Sequence, residues 1–106
     1  MTISGKKKLS IVVPFLNEEY NLPALAQRLI GALAAKEEDF EIIFVDDGSS
    51  DGSAQWVAEK ALADKRFKLI RLSRNFGHQI AITAGLDYTQ SDAAVIIDAD
   101  LQDRRQ

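Results

Sequence analysis

Two places in the chain gather carboxylates at the end of an apolar run. The first is Ile42-Ile43-Phe44-Val45, which runs into Asp46-Asp47 and then Gly48-Ser49-Ser50-Asp51-Gly52. The second is Ala93-Ala94-Val95-Ile96-Ile97, which runs into Asp98-Ala99-Asp100. Carboxylates suit two tasks: accepting hydrogen bonds from a ligand and holding a hard cation. Residues i and i+2 of an extended segment face the same side, about 7 Å apart at Cα. Asp98 and Asp100 can therefore converge on one cation, and Gln102 continues the series with a neutral oxygen. Mg²⁺ typically takes one or two carboxylates, several waters and phosphate oxygens. The plain alternative is a solvated acidic loop.

Asp46 and Asp47 are adjacent, so on a strand they point to opposite faces and cannot share a task. One can reach into a crevice, and the other can accept from the N–H groups of the turn that follows. Both can equally be turn and cap residues, because Ser-Asp-Gly is common turn chemistry. Asn17-Glu18-Glu19 follows an earlier apolar run, and Glu18 can accept from ribose hydroxyls there. Its alternative is an acid at a helix N-terminus. His78, the single histidine, reads as a surface or capping residue. There is no G-x-G-x-x-G and no P-loop lysine motif.

Seven elements position these residues. Leu9 to Phe15 reads as a central first strand, with Pro14 ending its ladder. Asn21 is the expected cap of a first helix, with Pro23 in its first turn and Leu22, Leu25, Leu29 and Leu33 on one face. Phe40 to Val45 is the second strand. Ser50 or Asp51 caps a second helix with Ala54, Val57, Ala58 and Ala61 inward. Phe67 to Leu72 is the third strand, and a third helix runs from about His78 to Tyr88. Gly77, Ala81 and Gly85 share a face of it, and a glycine mid-helix points to close packing. Ala93 to Ile97 is a fourth strand, apolar enough to be buried on both faces. Strands alternating with helices predict a doubly wound, mostly parallel α/β sheet. Ligands of such sheets bind outside the carboxyl ends of the strands, where these acids lie.

Composition narrows the classes. The 106 residues suit one domain, residues 9–106, behind a basic tail, residues 1–8. Thirteen basic against sixteen acidic residues disfavour a nucleic-acid binder. The absence of cysteine excludes disulfides and thiolate metal sites. No apolar run approaches the roughly 20 residues of a membrane span, and the start does not read as a signal peptide. The expected location is cytoplasmic.

Three segments together resemble the family 2 glycosyltransferases of GT-A fold: Ile11-Val12-Val13-Pro14-x-x-Asn17-Glu18, Val45-Asp46-Asp47-Gly48-Ser49-x-Asp51-Gly52, and Asp98-Ala99-Asp100-Leu101-Gln102-Asp103. Ser73-Arg74-Asn75-Phe76-Gly77-His78-Gln79 is similar to the polyprenyl-phosphate branch, which includes dolichol-phosphate mannose synthases and undecaprenyl-phosphate glucosyltransferases. The resemblance implies that Pro14, Leu16, Glu18 and Asp47 line a nucleoside pocket, with Asp47 on the base. It implies that Asp98, Asp100 and Gln102 hold Mg²⁺ or Mn²⁺ against a sugar diphosphate. Leu16 stands where the family often has Tyr. The implied reaction transfers a hexose from a UDP- or GDP-sugar, with inversion, to a polyprenyl phosphate at the cytosolic membrane face.

The family normally continues past Asp103 with two prolines and a Glu, then further strands and the acceptor side. The expectation is therefore a donor-binding half truncated after the Asp-x-Asp motif, with no catalytic residue assigned. The alternative is a non-catalytic fragment that at most binds a nucleoside diphosphate. A phosphoacceptor module of receiver type also uses acids at strand ends, but after the first and third strands rather than the second and fourth. With no later strand to cover it, Ala93 to Ile97 is expected to leave an open sheet edge through which the chain can self-associate.

Overall fold

The computed structural model describes residues 8–36, 39–89 and 91–99. The order is β1 (Lys8–Phe15), α1 (Leu22–Ala35), β2 (Asp39–Asp46), α2 (Ser53–Ala63), β3 (Phe67–Arg71), α3 (His78–Asp87) and β4 (Ala93–Ile96). The four strands form one parallel sheet in the order β3-β2-β1-β4. Handedness explains the layers. From β1 to β3 the chain steps one way, so right-handed crossovers place α1 and α2 on one face. It then returns past β1 to β4, which places α3 on the other. This is the doubly wound arrangement expected, and it differs from the 2-1-3-4-5 order of a receiver.

Strand side chains alternate between two cores. Ile11, Val13, Phe15, Ile42, Phe44 and Phe67 pack with Leu22, Leu25, Ala26 and Leu33 of α1 and Val57 of α2. Phe44 anchors this side, edge-on to Phe15 at 6.4 Å and stacked on Phe67 at 5.6 Å. Val12, Ile43 and Val45 point the other way and pack with Ala81 of α3. There α3 comes very close: a Cβ built on Gly85 would lie 2.5 Å from Val12 Cγ1 and 3.0 Å from Val45 Cγ2. That is the packing reason for a glycine in mid-helix.

Several local expectations need correction. Pro14 does not end β1, which runs on to Phe15. The carbonyls of Lys8 and Val12 accept from the β4 side, from the N–H groups of Asp92 and Ile97. By alternation the Pro14 nitrogen points that way too, past the last β4 pair, Val12 with Ile96. Its missing donor therefore costs no ladder bond. Asn21 occupies the cap position of α1 without a capping bond; its Nδ2 donates to Glu18 Oε1 at 2.7 Å instead. Gly52 holds the cap position of α2, while the Asp51 carboxylate accepts the Ser53 N–H at 2.9 Å. Ala58 is exposed, so the inner stripe of α2 is narrower than its alanines suggested.

The largest correction concerns β4. It is exposed along its whole length, and Val95 and Ile96 are each 43% exposed. The cause is position: among the described residues β4 pairs with β1 alone, while α3 packs over β1 and β2. An apolar run reports what a strand can bury, not what lies beside it.

Toward the amino ends of the strands, Glu41 of β2 is buried at 4% exposure. It accepts from the Ser10 hydroxyl at 2.5 Å and from Lys68 Nζ at 2.7 Å, with Lys8 Nζ at 3.8 Å. Burial pushes its carboxyl upward, but these donors and charges outweigh it and leave the group below its ordinary value.

Candidate functional site

β1 and β4 are neighbours although the chain visits β2 and β3 between them. The strand order reverses at this pair, which is where open α/β sheets form a ligand crevice. A cavity of about 440 Å³ lies there. Pro14, Leu16 and Glu18 enter it from β1 and its loop, Asp47 from the end of β2, and Asp98 from beyond β4. Thus all four expected nucleoside-pocket residues and one of the three expected metal ligands line one cavity. Asp100 and Gln102 lie outside the described residues.

The acid pair divides its work as strand geometry requires. Asp46 is 1% exposed, and its Oδ1 accepts the Ser49 N–H at 2.8 Å, which closes the turn. Arg71 Nε stands 3.5 Å from its other oxygen. Asp47, on the opposite face, accepts the Phe76 N–H at 2.9 Å and the Gly77 N–H at 3.2 Å. Those donors lead directly into α3. A carboxylate has about four acceptor sites, so Asp47 keeps capacity for a ligand donor. Gly48 sits at φ +94, and a Cβ there would lie 2.6 Å from the Asn75 nitrogen. Only glycine allows the β2 turn and the Arg74–Asn75 backbone to approach so closely.

Two further loops are fastened together. The N–H groups of Asn17, Glu18 and Glu19 donate to Ser49 Oγ, Ser53 Oγ and Asp51 Oδ2 at 2.8, 2.9 and 3.3 Å. In return, Asn17 Oδ1 accepts the Ser50 N–H at 2.8 Å and Glu19 Oε1 accepts the Gly52 N–H at 2.9 Å. Burial raises the Asp51 carboxyl, yet the Ser53 hydroxyl and the Ser53 and Glu19 amides hold it below the usual carboxylate range.

Asp98 is the carboxylate open to a ligand, with its side chain 54% exposed. His78, the first residue of α3, stands beside it with Nε2 at 3.5 Å from Asp98 Oδ1. His78 is exposed at the start of α3, as a surface or capping residue would be, and it also lines the cleft with Asn75, Gly77 and Ala81. The available signal was that Asn75 to His78 follow a strand's carboxyl end. Among the described residues no three His, Cys, Asp or Glu side chains group closely enough to hold a metal. The fit to a divalent cation rests on donor chemistry alone: a half-exposed carboxylate in the cleft, the type of ligand that Mg²⁺ and Mn²⁺ take.

An uncharacterized glycosyltransferase, YkcC, of Bacillus subtilis (strain 168) is 54% identical over 94 residues, 89% of this chain and 29% of its own length. An undecaprenyl-phosphate 4-deoxy-4-formamido-L-arabinose transferase of Proteus mirabilis is 43% identical over 102 residues, 95% of this chain and 31% of its own. The chain thus spans roughly 30% of the length of these curated relatives. Among solved structures, glucosyl-3-phosphoglycerate synthase of Mycobacterium tuberculosis, in complex with Mn²⁺, UDP-glucose and phosphoglyceric acid, superposes with a TM-score of 0.67. It is 26% identical, and the alignment covers 91% of this chain and 34% of that one. The fold is the GT-A arrangement. The profile described as glycosyl transferase family 2 matches residues 10–106, which takes in every acid, loop and helix of the cleft, and the chain belongs to that family.

Proposed function

We propose that this chain is the donor-binding part of a glycosyltransferase that moves a sugar from a UDP- or GDP-sugar to a polyprenyl phosphate, with inversion. The observation that carries the reading is the convergence of Pro14, Leu16, Glu18, Asp47 and Asp98 on one cleft at the strand-order reversal. The formamido-arabinose transferase relatives, which act on undecaprenyl phosphate, support the acceptor class. For the chain taken whole, the cytosolic face of the membrane is where such an acceptor would be met. Among the described residues no helix is long and apolar enough to cross a membrane.

In this reading Asp47 accepts from the base, and the two amides that fix its carboxylate spare it reorientation on binding. Glu18, steadied by Asn21, accepts from the ribose. Pro14 and Leu16 give the nucleoside an apolar wall. Asp98, with Asp100 and Gln102, would hold Mg²⁺ or Mn²⁺, which neutralises charge on the leaving diphosphate. A phosphate acceptor is already ionised and needs little general-base help.

Calorimetry with UDP- and GDP-sugars, with and without Mn²⁺, tests the site. Asp47→Asn should weaken binding by about 1–3 kcal/mol, the range for a hydrogen bond to a charged group. Asp100→Ala should remove the metal-dependent part and leave the fold intact. Equal binding by the parent and both variants would reduce Asp47 to a turn residue and refute the cation site. A transfer assay with a polyprenyl phosphate then separates a working donor half from the alternative, a piece that binds nucleotide and transfers nothing.

A further inference from the structure

We propose that Asn17 is the positioning residue of the donor site: it clasps the β1–α1 loop to the turn after β2 and so fixes Leu16 and Glu18 in the cleft. The inference rests on reading that cleft as a nucleoside diphosphate site.

Asn17 itself does not line the cavity, yet the residues on both sides of it do. It is the one non-glycine residue with positive φ among the described residues, at 55°. Asparagine tolerates that conformation better than most side chains. The carboxamide turns away from the cleft to the next turn, where Oδ1 accepts the Ser50 N–H at 2.8 Å, the Asp51 N–H at 3.2 Å and the Ser50 hydroxyl at 3.4 Å. Its own N–H donates to Ser49 Oγ at 2.8 Å. One side chain therefore gathers two successive amides of a turn that begins at Asp46 and Asp47.

Packing cannot do this job. From Leu16 to Tyr20 no residue is buried; Leu16 is 38% and Tyr20 93% exposed. The loop has no hydrophobic anchor between the end of β1 and Leu22, so its order comes from these polar bonds. Each such bond contributes little to global stability in water. Their effect lies elsewhere. A loop held before the ligand arrives spares the ligand the entropy of ordering Leu16 and Glu18. The glycine at position 52 fits the same scheme, since a Cβ there would lie 2.6 Å from Glu19 Oε2 and displace the carboxylate that accepts the Gly52 N–H. Neither Glu19 nor Gly52 lines the cavity.

The test compares Asn17→Ala, Asn17→Asp and Gly52→Ala with the parent chain. UDP and GDP are titrated calorimetrically, amide hydrogen exchange is followed at residues 17–19 and 49–53, and stability is read by urea unfolding. Asn17→Ala should weaken the nucleotide that binds by about tenfold, the cost of ordering one or two side chains at binding. It should speed exchange in both segments and lower the unfolding midpoint only modestly, through the lost bonds and the alanine's positive φ. Asn17→Asp, which keeps an acceptor for both amides, should restore most of the affinity. Gly52→Ala should give a smaller loss in the same direction without touching the cleft. Unchanged affinity in Asn17→Ala overturns the proposal. So does a loss that follows global stability and is not rescued by Asn17→Asp. A parent chain that binds neither nucleotide overturns the donor-site reading itself. In that case unchanged exchange in Asn17→Ala overturns the clasp as well, and faster exchange confined to the two segments upholds it.

Discussion

The same substitution in two helices should have opposite signs. Replacing a mid-helix glycine by alanine gains about 0.5–1 kcal/mol, because glycine loses more backbone freedom on folding. At Gly31 in α1 nothing lies within 4 Å of the new Cβ, so Gly31→Ala should deliver that gain. At Gly85 in α3 the Cβ would meet Val12 Cγ1 at 2.5 Å and Val45 Cγ2 at 3.0 Å. Ordinary carbon contacts are about 3.5–4.0 Å, so the nearer contact is short by roughly 1 Å. Neither valine can retreat. Both are 0% exposed, both sit in the inner strands β1 and β2, and β-branched side chains are stiff at χ1. The helix must lift instead, and overpacking of this kind costs about 1–3 kcal/mol. Setting the helix gain against it leaves Gly85→Ala destabilised by about 0.5–2 kcal/mol. Because α3 carries His78 and Ala81 into the cleft, nucleotide affinity should fall with it. Urea unfolding at low protein concentration reads both shifts as changes in midpoint at constant slope. A Gly85→Ala chain as stable as its parent, or both variants moving in the same direction, would refute the close-packing argument.

Two other outcomes follow from charge and from the sheet edge. The Glu41 carboxyl lies below its ordinary value in the folded chain, so its stabilisation is present above the unfolded value of 4.5 and is lost as pH falls through the folded one. Comparing acid unfolding of the parent and Glu41→Gln should show a shallower decline below that pH in the variant; identical profiles would mean the Lys68 pair contributes nothing. At β4, no residue from Ala93 to Ile97 carries a charge and, among the described residues, the strand pairs on one side only, so the chain should associate with itself as concentration rises. Sedimentation velocity should show this and show it relieved in Val95→Lys, whereas a monomer at every concentration would mean the edge is closed.

The pocket residues Pro14 and Leu16 came from the family resemblance, Glu18 from the resemblance and its place after the first strand, and local periodicity made other parts of the site legible. A period of two forced Asp46 and Asp47 onto opposite faces, and the structure gives one to the turn and the other to the cleft. A period near four put Ala81 and Gly85 on the inner face of α3, where both are buried. What sequence hid depends on neighbours far along the chain. The apolar run of β4 matches that of β2, yet one is exposed at an edge and the other buried in the sheet, because strand order is set by crossovers and not by composition. His78 was hidden for the same reason: it meets Asp98 only because the chain reverses direction across the sheet and lays α3 beside the end of β4. Asn17 shows a third case. Its residue type suggests a turn, but its partners lie about thirty residues on, at Ser49, Ser50 and Asp51. Those bonds exist because β1 and β2 are parallel neighbours in register from Lys8 with Asp39 to Phe15 with Asp46, so their two exits leave the sheet side by side. The site is therefore a consequence of strand order. Its acids announce themselves locally, and the groups that hold and flank them come into reach only once the sheet has formed.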